Sequence, residues 1–285
     1  MARSPSTRPS RSPRSSAPPS RAASSTACST VSTGSCVPPE RAPPVRYAIL
    51  SDVHGNLEAL RAVLADAASR SDGLLCLGDS VGYGADPVAC VEILDRRARA
   101  IVAGNHEHGV AGLLDLEWFN GWARAAAEWT RERLDDEHRA WLGALPLTSE
   151  VGDATLVHAS PEAPEEWEYL VTPDEGWAAF PFFATRWCFV GHSHVPGVWS
   201  LGSSGPEFEP RPVTVVGEAG RRYIVNVGSV GQPRDRDPRA AYAVWDVDAA
   251  RVELRRVPYD IEAAREKIVA AGLPRFLADR LTVGT

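Results

Sequence analysis

The hydrophobic pattern of residues 45–285 is a series of short apolar runs, each giving way to a polar, glycine-containing loop and often to a helical repeat. Val45-Arg46-Tyr47-Ala48-Ile49-Leu50 reads as a buried strand. After Ser51-Asp52-Val53-His54-Gly55-Asn56, the residues Leu57, Leu60, Val63, Leu64 and Ala67 recur at the spacing of one helix face. A second unit repeats the theme: strand Leu74–Leu77, loop Gly78–Asp86, and a helix opened by Pro87. A third strand, Ala100–Ala103, runs into Gly104-Asn105-His106-Glu107. This βαβαβ pattern predicts parallel pairing, with ligands collected at the carboxyl ends of the strands.

Residues 113–142 read as a helical insertion carrying Trp118, Phe119, Trp122, Trp129, Leu134, Trp141 and Leu142. Helix packing is the simpler account of those aromatics, and a cap over a site is the alternative. Further strands are predicted at Ala154–Val157, Trp187–Val190, Val213–Val216, Tyr223–Val227, Ala241–Asp246 and Val252–Val257, with closing helices near Ile261–Ala271 and Arg275–Leu281. Two sheets packed face to face with helices outside accommodate this order.

Composition changes the picture only at the start of the chain. Residues 1–44 are rich in Ser, Pro, Arg, Thr and Ala, and bury too little apolar surface to offset ordering entropy, so they read as a disordered tail. A transit peptide, or a start-site artefact with translation beginning near Val45, are the other readings; a secretory signal is excluded by the lack of an apolar core segment. The chain carries −7 overall, and six arginines against Glu40 give the tail +5, so the body carries −12. An acidic body disfavours nucleic acid as a partner, because phosphate neutralisation supplies most of that affinity. No run approaches the roughly 18 apolar residues of a membrane span. Five cysteines without C-x-x-C spacing give neither a disulfide framework nor a structural zinc site, and a reducing cytoplasm fits.

The chemistry lies in the histidines. Five polar clusters follow predicted strands in order: Asp52-x-His54, Gly78-Asp79, Gly104-Asn105-His106-Glu107, His158, and Gly191-His192-Ser193-His194. Each alone has a bland reading, as a helix cap, a turn, or a hydrogen-bonded histidine. Together they form a mixed imidazole and carboxylate set suited to Mn, Fe, Co, Ni or Zn rather than to Mg or Ca alone.

This order resembles the calcineurin-like metallophosphoesterase superfamily, with motifs DxH, GD, GNH[DE], H and GHxH, over roughly residues 45–258. The resemblance implies an α/β fold, a four-layer α-β-β-α sandwich of two mixed sheets. It implies two divalent metal ions, one held by Asp52, His54, Asp79 and His194, the other by Asp79, Asn105, His158 and His192, with His106 as proton donor or transition-state stabiliser. The expected reaction is attack on a phosphate ester by a hydroxide shared between the ions. In the protein-phosphatase branch the second motif reads GDxVDRG, whereas here it is Gly78-Asp79-Ser80-Val81-Gly82-Tyr83-Gly84. Tyr83 replaces a phosphate-gripping arginine, and Gly82 replaces the aspartate that orients the catalytic histidine. The stretch Asn226–Asp237 resembles the bacterial phosphodiesterase-like branch. There Arg234 or Arg236 would reach a substrate phosphate, a salt-bridged loop being the competing account. The expected partner is a small phosphorylated substrate, a phosphodiester or nucleotide anhydride, bound with Arg234 and Tyr83. The alternatives are a phosphomonoesterase or protein phosphatase, and a non-catalytic scaffold of the same fold.

Overall fold

The computed structural model describes residues 45–285 apart from Pro212, so the tail expected at 1–44 lies outside the described residues. In chain order the strands are β1 Arg46–Leu50, β2 Gly73–Cys76, β3 Ala98–Ile101, β4 Thr148–Val151, β5 Ala154–Val157, β6 Trp187–Val190, β7 Gly197–Gly202, β8 Gly205–Pro210, β9 Thr214–Val216, β10 Arg222–Asn226, β11 Ala240–Asp246 and β12 Arg251–Val257. The helices are α1 Leu57–Ala67, α2 Pro87–Arg97, α3 Asn105–Ala111, α4 Gly121–Arg131, α5 Asp136–Gly143, α6 Pro173–Ala179, α7 Ile261–Ala270 and α8 Arg275–Asp279.

They build two mixed six-stranded sheets, ordered β3-β2-β1-β11-β12-β9 and β4-β5-β6-β10-β7-β8. In the first, β1, β2 and β3 run parallel, as the βαβαβ pattern predicts, and β11 joins β1 antiparallel. In the second, β5, β6 and β10 are parallel.

The period-two alternation of the strands decides the layers. From β1, Tyr47 and Ile49 join Leu75, Leu156, Trp187, Phe189, Val225 and Trp245 in the core between the sheets. Ala48 and Leu50 point the other way, against Leu57, Leu60 and Val63 of α1 and Leu94 of α2. On the far side, Cys188, Val190 and Ile224 pack under Ala179, Phe180 and Phe183. The fold is thus the four-layer α-β-β-α sandwich. No helix among the described residues is long and apolar enough to cross a membrane.

Local differences from the expected elements have physical causes. The run at 113–142 contains two helices, α4 and α5, with Asn120 and Asp135 capping their first turns. β7 and β8 form a hairpin that Gly, Pro and Glu conceal, since β8, the edge strand, is half-exposed and needs no apolar run. α3 escapes periodicity because it has only seven residues; Glu107 at its third position closes back on the Gly104 N–H.

Candidate metal centre

Every parallel strand exit delivers polar side chains to one crevice, and the backbone there is strained to do so. Asp52, His54, Asp79, Tyr83, His192 and His194 all adopt positive φ, between 50° and 63°. Non-glycine residues rarely take this conformation, and such outliers cluster at functional sites where surrounding structure enforces them. The enforcement is visible in hydrogen bonds between loops. Asp52 N–H donates to Gly78 O at 3.0 Å, His54 N–H to Asp79 O at 2.8 Å, and Gly231 N–H to Asp52 O at 2.9 Å.

Three imidazoles are oriented by backbone carbonyls. His54 Nδ1 lies 3.0 Å from Val81 O, His158 Nδ1 2.7 Å from Leu77 O, and His194 Nδ1 2.6 Å from Gln232 O. A carbonyl can only accept, so each ring carries its proton on Nδ1 and turns Nε2 inward. His54 Nε2 and His194 Nε2 then stand 3.1 Å apart with Asp52 Oδ1 3.1 Å from the latter, and Asp79 Oδ2 lies 3.6 Å from His54 Nε2. Across Asp79, the same Oδ2 is 3.3 Å from His158 Nε2, which is 3.1 Å from His192 Nδ1. These are acceptors facing acceptors, an arrangement that only a cation or added protons can satisfy.

Unpartnered atoms make the same point. Asp52 Oδ1, Asn105 Oδ1 and His192 Nε2 are buried without a hydrogen-bond partner in the structure. Asn105 and His192 line one pocket. The donor set therefore fits a divalent metal: Asp52, His54, Asp79 and His194 on one side, Asp79, Asn105, His158 and His192 on the other, with Asp79 between. Within the pocket, burial and neighbouring charges set the ionisation of these groups. Burial works against ionisation, yet His194 and His54 hold Asp52 well below the usual carboxylate range, and His158 and His106 do so for Asp79. Burial also opposes a charge on His158, but Asp79 lifts it to about 9. For His192 and His194 burial wins, pushing them down to about 3 and about 4.

A second layer fixes the carboxylates. Glu107, fully buried, accepts from Asp79 N–H at 2.7 Å, Ser80 N–H at 2.6 Å, Ser80 Oγ at 2.6 Å and Gly104 N–H at 2.8 Å. It thereby clamps the β2 exit to the start of α3. Asp79 Oδ1 in turn accepts the His106 N–H at 3.0 Å, and Asp52 Oδ2 accepts the His192 N–H at 3.0 Å.

His106 stands in a cage of rings. Its centroid lies 4.6 Å from Tyr83, 4.9 Å from His54 and 5.0 Å from Phe119. The position that carries an aspartate in the protein-phosphatase branch, Gly82, supplies space instead of a hydrogen bond. A Cβ there would fall 2.1 Å from His106 Nδ1, and Gly82 has φ +85°. His106 Nδ1 is consequently buried without a partner. Packing, rather than a carboxylate, orients this ring. Burial pushes it down to about 3, so the resting imidazole is neutral at pH 7.

Above the centre lies a pocket of about 490 Å³, lined by Tyr83, Leu114, Trp118, Phe119, Trp167 and Tyr169 among others, with Glu165, Glu166 and Glu168 at its edge. Trp118 is 84% exposed, so part of the helical tract faces this pocket rather than the core, whereas Trp122 stacks on Phe276 at 4.0 Å. The sequence reading missed Trp167 and Tyr169, which follow β5 in a loop without periodicity. Tyr169 stacks on His192 at 4.0 Å, and Trp167 lies edge-on to His158 at 6.1 Å. The Arg234 guanidinium lies 5.8 Å from the Tyr83 ring. Arg236 does not join them; it lines a separate cleft with Pro196, Val227 and Arg211. The surrounding loop is also salt-bridged, as the competing account of this stretch expects, with Asp235 paired to Arg256 and Asp237 to Arg239.

Comparison with known proteins agrees with this geometry. The model of the calcineurin-like phosphoesterase superfamily domain matches residues 45–250. An uncharacterized protein of Methanocaldococcus jannaschii is 40% identical over 242 residues, spanning 83% of this chain and 97% of that protein. The crystal structure of a metallophosphoesterase from Sphaerobacter thermophilus is similar with a TM-score of 0.75 and 43% identity, over 85% of this chain and 100% of that one. A hypothetical protein from Pyrococcus horikoshii shares the fold at a TM-score of 0.67 and 21% identity, over 85% of this chain and 99% of that one. The family match and the imidazole and carboxylate clusters at its strand exits lead to one conclusion: the chain belongs to the calcineurin-like phosphoesterase superfamily and is a metal-dependent phosphoesterase.

Proposed function

We propose that the enzyme hydrolyses small phosphodiesters or nucleotide anhydrides at a centre of two divalent transition-metal ions, manganese being the first to test. The observation that carries this reading is the shared Asp79 Oδ2, within 3.6 Å of His54 Nε2 on one side and 3.3 Å of His158 Nε2 on the other. Asp52, His54 and His194 complete the first ligand set, and Asn105, His158 and His192 the second. Bound there, such ions supply Lewis acidity toward phosphate oxygens and raise the acidity of water.

The protein's own residues do the rest. Asn105 contributes a neutral amide, so the pocket gains a ligand without gaining a charge that repels phosphate. His106, held neutral by burial, donates its one N–H to a phosphate or leaving-group oxygen as the P–O bond breaks. Arg234 and Tyr83 face the substrate, and the aromatic wall of Trp118, Trp167 and Tyr169 receives the flat base of a nucleotide substrate by stacking. The acidic edge of that pocket and the −12 body charge favour a substrate with few negative charges over a nucleic acid. Cys76, Cys90 and Cys188 are buried free thiols, which supports a cytoplasmic setting.

The test is turnover of bis-p-nitrophenyl phosphate, p-nitrophenyl phosphate and a phosphopeptide, each with Mn²⁺ and with EDTA. Diester turnover that exceeds the other two and disappears in EDTA supports the reading. Preference for the phosphopeptide would make the enzyme a protein phosphatase instead, and no turnover of any of the three with Mn²⁺ would favour a binding scaffold.

A further inference from the structure

Beyond the last residue matched by the family model, the chain returns to the metal centre. α8 ends in a short 3-10 turn, Arg280–Thr282, that brings Arg280 against Gln232. Arg280 Nη1 donates to Gln232 Oε1 at 2.8 Å, and Arg234 Nη2 donates to the same oxygen at 3.0 Å. Two guanidinium groups thus converge on one neutral amide. Among the described residues neither forms an ion pair with a carboxylate side chain; Arg280 Nε donates to the Thr285 backbone oxygen, and Arg234 Nε is buried with no partner.

The location is specific. Gln232 is 2% exposed, and its backbone carbonyl is the acceptor that orients His194. Arg234 N–H donates to His194 O at 3.3 Å, and its guanidinium reaches Tyr83, whose ring lies 4.5 Å from His54. The positive charge of Arg234 also bears on Tyr169, the residue stacked on His192. Two like charges sharing one amide in a half-buried position cost free energy unless an anion joins them. The strain registers on Arg280, which burial, and then Arg234, push down to about 10.

We infer that Arg234 and Arg280 form a paired oxyanion subsite that takes the non-bridging oxygens of the substrate phosphate, with Arg280 as a specificity-determining residue supplied by the C-terminal helices. Tyr83 occupies the chain position of an arginine in the protein-phosphatase branch, so this pair provides from elsewhere in the fold the planar donors that a phenol lacks. The inference rests on the proposed phosphoester chemistry for the identity of its ligand, and its test does not depend on turnover.

The test is binding of inorganic orthophosphate to the Mn²⁺-loaded full chain by isothermal calorimetry, for wild type, Arg280→Ala and Arg280→Lys, with metal content and circular dichroism recorded for each. Arg280→Ala is expected to weaken orthophosphate binding about tenfold at unchanged metal content, since a charge-assisted hydrogen bond is lost. Arg280→Lys should fall between, keeping the charge but not the fork. Where a diester substrate is turned over, Arg280→Ala should raise KM more than it lowers kcat. Wild-type affinity for orthophosphate in both folded variants would overturn the inference. Weakened binding in a protein that hydrolyses no ester would leave the subsite standing and remove the proposed reaction.

Discussion

His106 and Gly82 form a pair whose logic appears only when both are seen. The imidazole has no carboxylate to hold it, and the glycine leaves the space that its ring edge fills. Two substitutions separate metal binding from chemistry. His106→Ala should leave metal content near that of wild type and lower kcat by about 10²–10³-fold, the usual worth of a hydrogen-bond donor at a developing charge. Gly82→Ala should give a similar loss, because its Cβ would displace the ring and because φ +85° strains any other residue. Elemental analysis beside steady-state kinetics checks both; loss of metal in His106→Ala would make His106 a ligand. At this scale the sequence was informative wherever a residue type declares its chemistry. Asp52, His54, Asp79, Asn105, His158, His192 and His194 could be named in advance, and the structure gathers them in one crevice. Arg280 could not, since an arginine near the end of a chain carries no signal until folding places it beside Gln232. Tyr169 and Trp167 were illegible for a related reason: an aromatic residue in a loop has no period to mark its partner.

Among the elements, the strands that position ligands were the most legible, because β1, β2, β5 and β6 are buried on both faces and read as continuous apolar runs. The least legible were β7 and β8, which together mix Gly, Pro and Glu, and α3 and α6, which span seven residues each, too short to show a helical period. The loop after β5 is the element with the clearest functional consequence. It turns through positive φ at Ala163 and Trp167 and so brings Trp167 and Tyr169 against the ligand histidines. Tyr169→Ala should therefore raise KM about 5- to 100-fold for thymidine 5′-p-nitrophenyl phosphate, with a smaller effect on methyl p-nitrophenyl phosphate, which has no base to stack. Equal effects on the two esters would show that Tyr169 serves only to support His192.

For the molecule as a whole, the centre couples stability to pH. Without metal, His106, His192 and His194 are held down to about 3, about 3 and about 4, against an ordinary value near 6.5. The unfolded chain takes up protons on these residues below about pH 6.5 while the folded chain does not, so stability falls as pH drops. Each contributes about 1.4 kcal/mol per pH unit across its window. His158, raised to about 9, acts in the opposite sense: its contribution is complete below about pH 6.5 and is lost as pH rises through about 9. The urea midpoint of the metal-free enzyme should thus be highest near neutrality and fall more steeply on the acid side; a flat midpoint between pH 6.5 and 5 would show that the histidines are not held neutral. The sandwich exists, in this account, to press two sets of strand exits together until their lone pairs face one another across Asp79. The most direct test is the metal-to-protein ratio after dialysis against Mn²⁺, for wild type and Asp79→Ala. About two ions per wild-type chain, and loss of both in Asp79→Ala, is the predicted result. A ratio of one in the wild type, or two ions retained in Asp79→Ala, would contradict it.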